Sequence, residues 1–299
     1  MEGTVDRSFT INGPVRLEIS NGSGDTRISA GNPGAVEVHA LIRMYGWSPE
    51  SAQQDLEQFT SNPPITQDGN FVHVGMTGFN SIGRHVNIEY SVTAPPDTDI
   101  RGASGSGDVE LNGIQGPAEF TIGSGSLTGM NIANDVRAVV GSGSVTLSNS
   151  QGLVSVSTGS GSIVIRGAKG EVRAHAGSGS IRIEDPGDRT QATTGSGDID
   201  VTGAIADLRL HTGSGSISID GNPGAMDFWD ARTGSGAVQM HVPANASFEF
   251  SGRTNSGSID VTVPNAVVQS SGRHELDARI GDGKARVEVA TSSGDVGLH

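Results

Sequence analysis

Apolar and polar residues alternate in short runs along most of this chain, and the runs recur at a fixed distance. One pair of apolar residues two positions apart, such as Ile163 and Ile165, follows each Gly-Ser-Gly tripeptide, and a second pair, such as Val172 and Ala174, precedes the next one. Strict alternation predicts strands that are buried on one face. Each repeat therefore predicts two strands whose apolar residues fill a narrow aliphatic interior.

The repeat is 18 residues long in the middle of the chain. A fixed period of this length indicates a solenoid, in which successive coils stack on one another instead of folding separately. The two glycines of the repeated tetrapeptide Gly-Ser-Gly-Ser/Asp fit a tight corner that requires positive φ or a close backbone approach. The spacing widens to 21 residues before Gly234 and again before Asn255, which predicts a longer coil around Phe228 and Trp229. The regularly spaced tetrapeptides start at Gly105, Gly123, Gly141, Gly159, Gly177, Gly195 and Gly213.

These patterns predict an all-β fold, a single-stranded parallel β-helix with irregular ends that cap it, because an uncovered terminal coil would present unpaired backbone groups. Three regions are expected: an N-terminal β-coil and capping segment over residues 1–100, the β-helix of regular coils over 101–263, and a C-terminal β cap over 264–299. Within the first region, Ser48 and Pro49 have the residue types of an N-cap and a first helical position, which predicts a short helix over 48–59.

The composition limits the kinds of binding partner, metal site and membrane segment that can be expected. The net charge of −14 argues against nucleic acid or an anionic bilayer as a partner. The absence of cysteine excludes disulfides and thiolate metal sites. No apolar run approaches the roughly 18 to 20 residues that cross a bilayer, so no transmembrane segment is expected. The first residues also lack the basic and apolar pattern of a signal peptide.

A basic pattern lies on the strand that precedes the corner. Arg137, Arg173 and Arg209 recur every 36 residues, and His175 and His211 come two positions after the last two arginines. Alternation places an arginine and its histidine on the same outward face, with equivalent residues about 10 Å apart along the stack. We expect these five residues to form a candidate ligand face for acidic glycans. The alternative is a solvated face on which the wide spacing reduces repulsion between like charges.

Carboxylates at the corners raise the alternatives of calcium binding and catalysis. Asp25, Asp108, Asp198 and Asp295 occupy the fourth corner position, but serine occupies it in most neighbouring coils. Because a calcium solenoid needs carboxylates in consecutive turns, solvated corner carboxylates are expected, with no metal and no cofactor. Asp198 and Asp200 form the best local pair for polysaccharide cleavage. The other outward acids are dispersed among coils, so no catalytic residue is predicted.

Three features in order carry a resemblance to a known family. The segment Leu-Glu-Ile-Ser-Asn-Gly-Ser-Gly-Asp over residues 17–25 is followed by Tyr-Ser-Val-Thr-Ala-Pro-Pro over 90–96 and then by the serial Gly-Ser-Gly coils. In this the chain resembles the bacterial DUF4097 family of adhesin-like proteins and the related head-domain adhesins. The resemblance implies a right-handed parallel β-helix and an extracytoplasmic setting, periplasmic or at the cell surface. It implies no catalytic residues.

The expected function is therefore that of a non-enzymatic protein of the cell envelope or surface, an adhesin or binding scaffold whose partners are glycans or other envelope components. Two alternatives stay open. A structural polymer would form by end-to-end stacking of coils and predicts open terminal coils. A polysaccharide-active enzyme would depend on the Asp198 and Asp200 pair. The oligomeric state does not follow from the repeat.

Overall fold

The computed structural model describes residues 1–45, 49–75 and 86–299. Strands occupy most of these residues. The first part of the chain contains β1 (Glu2–Thr10), β2 (Arg16–Ser23), β3 (Thr26–Ala30), β4 (Ala35–Met44), α1 (Pro49–Ser61), β5 (Ile65–Asp68), β6 (Phe71–Gly75), β7 (Val86–Ala94), β8 (Asp99–Ser106), β9 (Val109–Asn112), β10 (Ala118–Ser124), β11 (Leu127–Ile132), β12 (Val136–Ser142) and β13 (Val145–Ser150).

The rest of the chain is made of strands alone within the described residues. They are β14 (Val154–Ser160), β15 (Ile163–Arg166), β16 (Val172–Ser178), β17 (Ile181–Glu184), β18 (Thr190–Ser196), β19 (Ile199–Ala204), β20 (Leu208–Ser214), β21 (Ile217–Gly221), β22 (Phe228–Ser235), β23 (Val238–His241), β24 (Phe248–Ser256), β25 (Ile259–Val261), β26 (Ala266–Ser271), β27 (Glu275–Ile280), β28 (Ala285–Ser293) and β29 (Val296–Leu298).

The chain forms two compact units, Met1–Leu147 and Ser148–His299. Each unit has a pre-corner sheet, made of strands that run into a corner, and a post-corner sheet, made of strands that leave it. In Met1–Leu147 the pre-corner order is β12-β10-β8-β2-β6-β5 and the post-corner order is β1-β4-β7-β3-β9-β11-β13. In Ser148–His299 the orders are β14-β16-β18-β20-β22-β28-β24-β27-β26 and β15-β17-β19-β21-β23-β29-β25. Successive coils pair in parallel, which confirms the predicted parallel β-helix.

The interior is the aliphatic column that the alternation predicts. Ile163, Ile165, Val172 and Ala174 are buried, as are their counterparts in the other coils. Strand partners align these residues one above another along the stack. Trp229, in the longer coil, is also fully buried, and its Nε1–H donates a hydrogen bond to the carbonyl oxygen of Ala206 at 2.7 Å. Trp229 thus occupies the inward position that Leu208 has in the preceding coil.

The two corner glycines are needed for different reasons. A Cβ on the first glycine would meet the backbone of the preceding coil, and at Gly213 it would lie 2.6 Å from the carbonyl oxygen of Gly195. The second glycine additionally has a left-handed backbone, with φ of +144° at Gly197 and +147° at Gly215. L-residues with a side chain avoid this region. Most corners therefore have glycine at both positions, although Asn255 and Ser292 occupy the first position in two corners of Ser148–His299.

A column of buried threonines stands directly before the corners. Thr212 donates its hydroxyl to the carbonyl oxygen of Gly197 in the preceding coil at 2.8 Å, and Thr194 does the same to Gly179 at 2.9 Å. These carbonyl oxygens belong to the second corner glycine and gain a partner inside the stack. Further threonines that donate to corner glycines are Thr233, Thr254 and Thr291.

In each unit, one coil lies between two other coils that follow one another in the chain. Strands β2 and β3 lie between β6 and β7 on one side and β8 and β9 on the other. Strands β28 and β29 lie between β22 and β23 on one side and β24 and β25 on the other. Of the expected cap over 264–299, only the hairpin β26–β27 occupies an edge of its sheet, whereas β28 and β29 occupy interior positions.

Antiparallel strands and helix α1 lie at the sheet edges of Met1–Leu147. Strand β1 pairs with β4, and β4 pairs with β7, all antiparallel, and β5 folds back on β6. Helix α1 begins at Pro49 and packs on β1 and β4, where Leu56 approaches Gly3. Its buried residues include Ala52 and Phe59. The predicted N-cap Ser48 lies outside the described residues.

Candidate functional site

Four of the five predicted ligand-face residues lie together in Ser148–His299. Arg173 and His175 on β16 are separated from Arg209 and His211 on β20 by one strand, β18. All four side chains are exposed. Because neighbouring strands are about 4.8 Å apart, the two arginines stand about 10 Å apart along the stack. The pairing therefore gives the spacing that the sequence predicts.

These four residues belong to a larger patch, here called the basic strip, which spans the outward faces of β14, β16, β18 and β20. None of its eight residues is acidic, although the chain carries a net charge of −14. Two arginines, two histidines, hydroxyls and one amide face outward in register. The strip consists of Ser155, Ser157, Arg173, His175, Gln191, Thr193, Arg209 and His211.

Carboxylates border the basic strip on two sides. Glu171 accepts two hydrogen bonds from Arg173, at 2.9 and 3.2 Å, and this contact raises the pKa of Arg173. Asp230 lies opposite Arg209 in the register of β20 and β22. Across the described part of the chain, Arg209 forms no ion pair, so its guanidinium keeps its donors for solvent or a ligand.

The fifth predicted residue, Arg137, lies in the other unit. It is on β12 of Met1–Leu147, where its register partner on β10 is Glu119. A carboxylate thus lies directly opposite Arg137 on the neighbouring strand, about 5 Å away, as Asp230 lies opposite Arg209. The basic strip is defined within Ser148–His299, so Arg137 is not one of its residues.

The fourth corner residues bond the coil beside them. The carboxylate of Asp108 accepts a hydrogen bond from the backbone N–H of Ser126 at 2.8 Å, and Asp198 accepts one from Ser216 at 2.8 Å. Serine has the same role at longer range, since Ser180 Oγ accepts from the N–H of Asp198 at 3.3 Å. Both residue types at this position thus serve the stacking of coils.

Asp295 shows the electrostatic result of this arrangement. The backbone N–H and the hydroxyl of Ser258 both donate to its Oδ1, each at 2.8 Å, and the backbone bond is the main cause of the lowered pKa of Asp295.

Within residues 1–45, 49–75 and 86–299, no group of three or more His, Asp or Glu side chains is arranged to hold a metal ion. In the same residues, no helix has the length and apolar content required to span a bilayer.

The pair considered for catalysis is engaged in protein contacts. Asp198 accepts from Ser216, and Asp200 accepts a hydrogen bond from Arg182 in the neighbouring coil at 3.2 Å. The first residue belongs to a corner, and the second lies on the outward face of β19. Each carboxylate therefore has a bonding role in the stack.

A second polar surface, which the sequence patterns did not single out, lies in Met1–Leu147. It is a trough of about 670 Å³ on the outward face of the post-corner sheet. Its floor is crossed by two rows of side chains, each contributed by β1, β4, β7, β3 and β9. One row is Asp6, His39, Ser91, Arg27 and Glu110, and the other is Ser8, Glu37, Thr93, Ser29 and Asn112.

Several contacts order the side chains of the trough. His39 Nδ1 lies 2.6 Å from Asp6 Oδ1, and Arg27 Nε lies 3.5 Å from Glu110 Oε2. Ser91 is the next residue of the row, but it forms no hydrogen bond to His39 in the described structure. Alternating polar residues are visible in each strand, yet the antiparallel register that aligns β1, β4 and β7 follows from tertiary pairing. No local pattern could have identified this site.

Comparisons with solved structures find likenesses of low identity. A putative adhesin from Parabacteroides distasonis ATCC 8503 is 10% identical, with a TM-score of 0.34, over 99% of this chain and 97% of that one. A putative adhesin from Parabacteroides merdae ATCC 43184 is 12% identical, with a TM-score of 0.33, over 99% and 96%. A putative adhesin from Bacteroides fragilis NCTC 9343 is 9% identical, with a TM-score of 0.32, over 99% and 97%. Likenesses at this level carry no functional conclusion.

No curated protein matches the chain. The family comparison is decisive, because the profile of one family covers nearly the whole sequence. The match extends over residues 15–299, from the first inserted coil through the second. The chain belongs to the Toastrack DUF4097 family, and its fold is a parallel β-helix.

Proposed function

We propose that this chain is a non-enzymatic binding protein of the bacterial cell envelope or surface, and that its basic strip binds acidic glycans. The observation that carries the proposal is the absence of any acid among the eight outward residues of the strip in a chain of net charge −14. A local cluster of guanidinium and imidazole groups offers charge-assisted hydrogen bonds to carboxylate or sulfate groups. Serine, threonine and glutamine beside them offer partners for sugar hydroxyls.

The spacing of the strip suits a linear polymer. Arg173 and Arg209 stand about 10 Å apart along the stack, with an uncharged strand between them. A polysaccharide that carries an acid on every second sugar presents charges at a comparable interval. Such a chain would lie along the stack, across the strands, and contact each arginine in turn.

The test is a titration of the whole protein with acidic polysaccharides, such as hyaluronan and alginate, and with neutral dextran. The double variant R173Q/R209Q should lose about tenfold or more in affinity, because hydrogen bonds to charged groups contribute on the order of 1.5–3 kcal/mol each. The matched control is R166Q/R182Q, which removes the same charge from the post-corner sheet, where both arginines pair with carboxylates. The control should bind like the parent.

Two results would overturn the proposal. One is the absence of binding to every acidic polymer, and the other is equal binding by R173Q/R209Q and the parent. Binding should also weaken steadily as salt is added, since exposed charges are screened. The envelope location is tested separately by proteolysis of intact and lysed source cells, in which cleavage of intact cells indicates the surface.

Self-association is a second candidate function, and the edge strand β26 favours it. This strand contains no charged residue and exposes Val267 and Val268, by 62% and 52%. Charges and short length protect edge strands from pairing with other chains, and β26 has neither protection at these positions. By contrast β1 carries Glu2, Asp6 and Arg7. Sedimentation at several concentrations decides the matter, because a concentration-independent monomer contradicts assembly.

A further inference from the structure

The trough of Met1–Leu147 has a regular lattice of polar groups on its floor. Five neighbouring strands contribute two outward residues each, and all ten residues are polar. Strands about 4.8 Å apart give each row a length of about 19 Å, and the two rows lie about 7 Å apart, because equivalent residues are two positions apart on a strand. The trough thus presents a polar group at each strand along two parallel lines.

The lattice carries more carboxylates than guanidinium groups, because Asp6, Glu37 and Glu110 stand against Arg27 alone. Asp6 is held by His39, and Arg27 lies between Glu110 and Asp25, at 3.5 and 3.7 Å. A strongly acidic ligand gains nothing from such a surface. This distinguishes the trough from the basic strip, whose eight residues include no acid.

Hydroxyls without a partner in the described protein occur along the lattice, at Ser8 on its end strand β1 and at Ser91 and Ser29 on β7 and β3 inside it. Within the described chain, the hydroxyls of Ser8, Ser29 and Ser91 have no hydrogen-bond partner in the protein, and these side chains are exposed or half-buried. Thr93 makes only a long bond to Glu37, at 3.4 Å. Each hydroxyl donates one hydrogen bond and accepts others, so a ligand rich in hydroxyls is complementary to this floor.

We infer that the trough is a binding site for a linear neutral polysaccharide, which lies across the strands with its hydroxyls on the two rows. The repeat of about 4.8 Å along each row is comparable to the length of one sugar unit in an extended chain, so about four units span the five strands. A cavity of about 670 Å³ is within the usual range for ligand sites. This site is separate from the basic strip and takes a different class of glycan.

The test measures binding of neutral cello-, manno- and xylo-oligosaccharides of about two to six units to the whole protein by calorimetry. Affinity should rise with length to about four units and then level off, because longer chains extend beyond the fifth strand. It should change little with salt, unlike binding at the basic strip. A purely structural role of the trough residues would produce neither dependence.

The decisive variant is S29V/S91V, which removes two central hydroxyls and keeps residues that favour strands. Affinity should fall by about fivefold to tenfold, since a hydrogen bond contributes on the order of 0.5–1.5 kcal/mol. The control T202V/S218V removes two outward hydroxyls from β19 and β21 of the other unit and should bind like the parent.

Three outcomes would overturn the inference: no neutral oligosaccharide binds, S29V/S91V binds like the parent, or R173Q/R209Q abolishes the binding of neutral chains. The last outcome would place neutral glycans on the basic strip. Loss of acidic-glycan binding in R173Q/R209Q with neutral binding intact would support both sites. Failure of one site therefore leaves a measurable result for the other.

Discussion

At the scale of single residues, the corner glycines explain why the tetrapeptide recurs with so little variation. The first glycine lets the carbonyl of one coil approach the Cα of the next, and the second also adopts a left-handed backbone. The position of a glycine in the stack, more than its place in the tetrapeptide, decides whether a side chain fits. Gly22 is a first corner glycine, but among the described residues no atom lies within 4 Å of the Cβ it would carry.

This contrast predicts that the same substitution destabilises the chain at one first corner position and leaves its stability nearly unchanged at another. Gly213→Ala should reduce the free energy of unfolding by about 1–3 kcal/mol, because its Cβ would lie 2.6 Å from the carbonyl oxygen of Gly195 and the coils would have to separate. Gly22→Ala should change the stability by no more than about 0.5 kcal/mol. Urea unfolding of both variants measures the difference, and equal losses would contradict the role assigned to close approach.

Tyr90 gives the chain a dependence on alkaline pH. Burial raises the pKa of Tyr90, so the folded chain keeps this phenol neutral while the unfolded chain ionises it above about pH 10. A raised folded pKa means that the stabilisation is complete below about pH 10 and is lost as the pH rises further, at up to about 1.4 kcal/mol per pH unit.

The measurement is the urea midpoint between neutral and strongly alkaline pH. Tyr90→Phe should flatten the alkaline decline, whereas Tyr45→Phe, at the other tyrosine and an exposed position, should leave the decline unchanged. A parent-like slope in Tyr90→Phe would show that other groups cause the alkaline loss.

At the scale of elements, the inserted coil β28–β29 provides strand pairing and apolar packing for the coils on both sides of it. It pairs on both sides in both sheets, and Val287, Val289, Val296 and Leu298 are buried. Without it, β22 and β24 each present an unpaired edge, and the aliphatic column is interrupted. Such edges are templates for aggregation.

A chain that ends at Lys284 should therefore lose cooperative unfolding and bind hydrophobic dyes. Addition of a peptide of residues 285–299 should restore both properties by filling the vacant position. The control peptide carries Asp in place of Val287 and Val289 and should not restore them, because two carboxylates would enter the apolar column. A truncated chain that unfolds like the parent would contradict the importance of this coil.

Prediction from sequence succeeded where one coil resembles the next. Residues such as Ile163 and Val172 reveal their inward orientation through a local period, and each coil repeats the evidence. The inserted coils could not be predicted, because β28 pairs with β22 through a contact between segments 58 residues apart, as Phe228 opposite Arg286 shows. The trough has the same origin, since the register of Asp6, His39 and Ser91 comes from three strands distant in the chain.

At the scale of the whole molecule, a solenoid tolerates the loss of one complete coil better than the loss of part of one. Deletion of residues 159–176 joins Thr158 to Gly177 and recreates the local sequence before a corner. Strand β14 would then pair with β18 in the place of β16. The variant should keep one cooperative transition with a somewhat lower m-value, because less surface is exposed on unfolding.

The control deletes only residues 159–167, about half a coil. This change would bring a post-corner strand against pre-corner neighbours and place polar side chains at inward positions. The shorter deletion should therefore be the more damaging one, as measured by circular dichroism and urea unfolding. Greater damage from the 18-residue deletion would contradict independent stacking of coils.

The position of the inserted coils gives the two units opposite orders of assembly during synthesis. Strands β2 and β3 leave the ribosome before both of their neighbours, so Met1–Leu147 grows outward in both directions from a template that is already present. Strands β28 and β29 emerge after both of theirs, so Ser148–His299 must admit its last coil into a gap about 10 Å wide. The folding rate of Ser148–His299 is then set by the synthesis and docking of that coil. The folding of Met1–Leu147 does not depend on a coil that is made last.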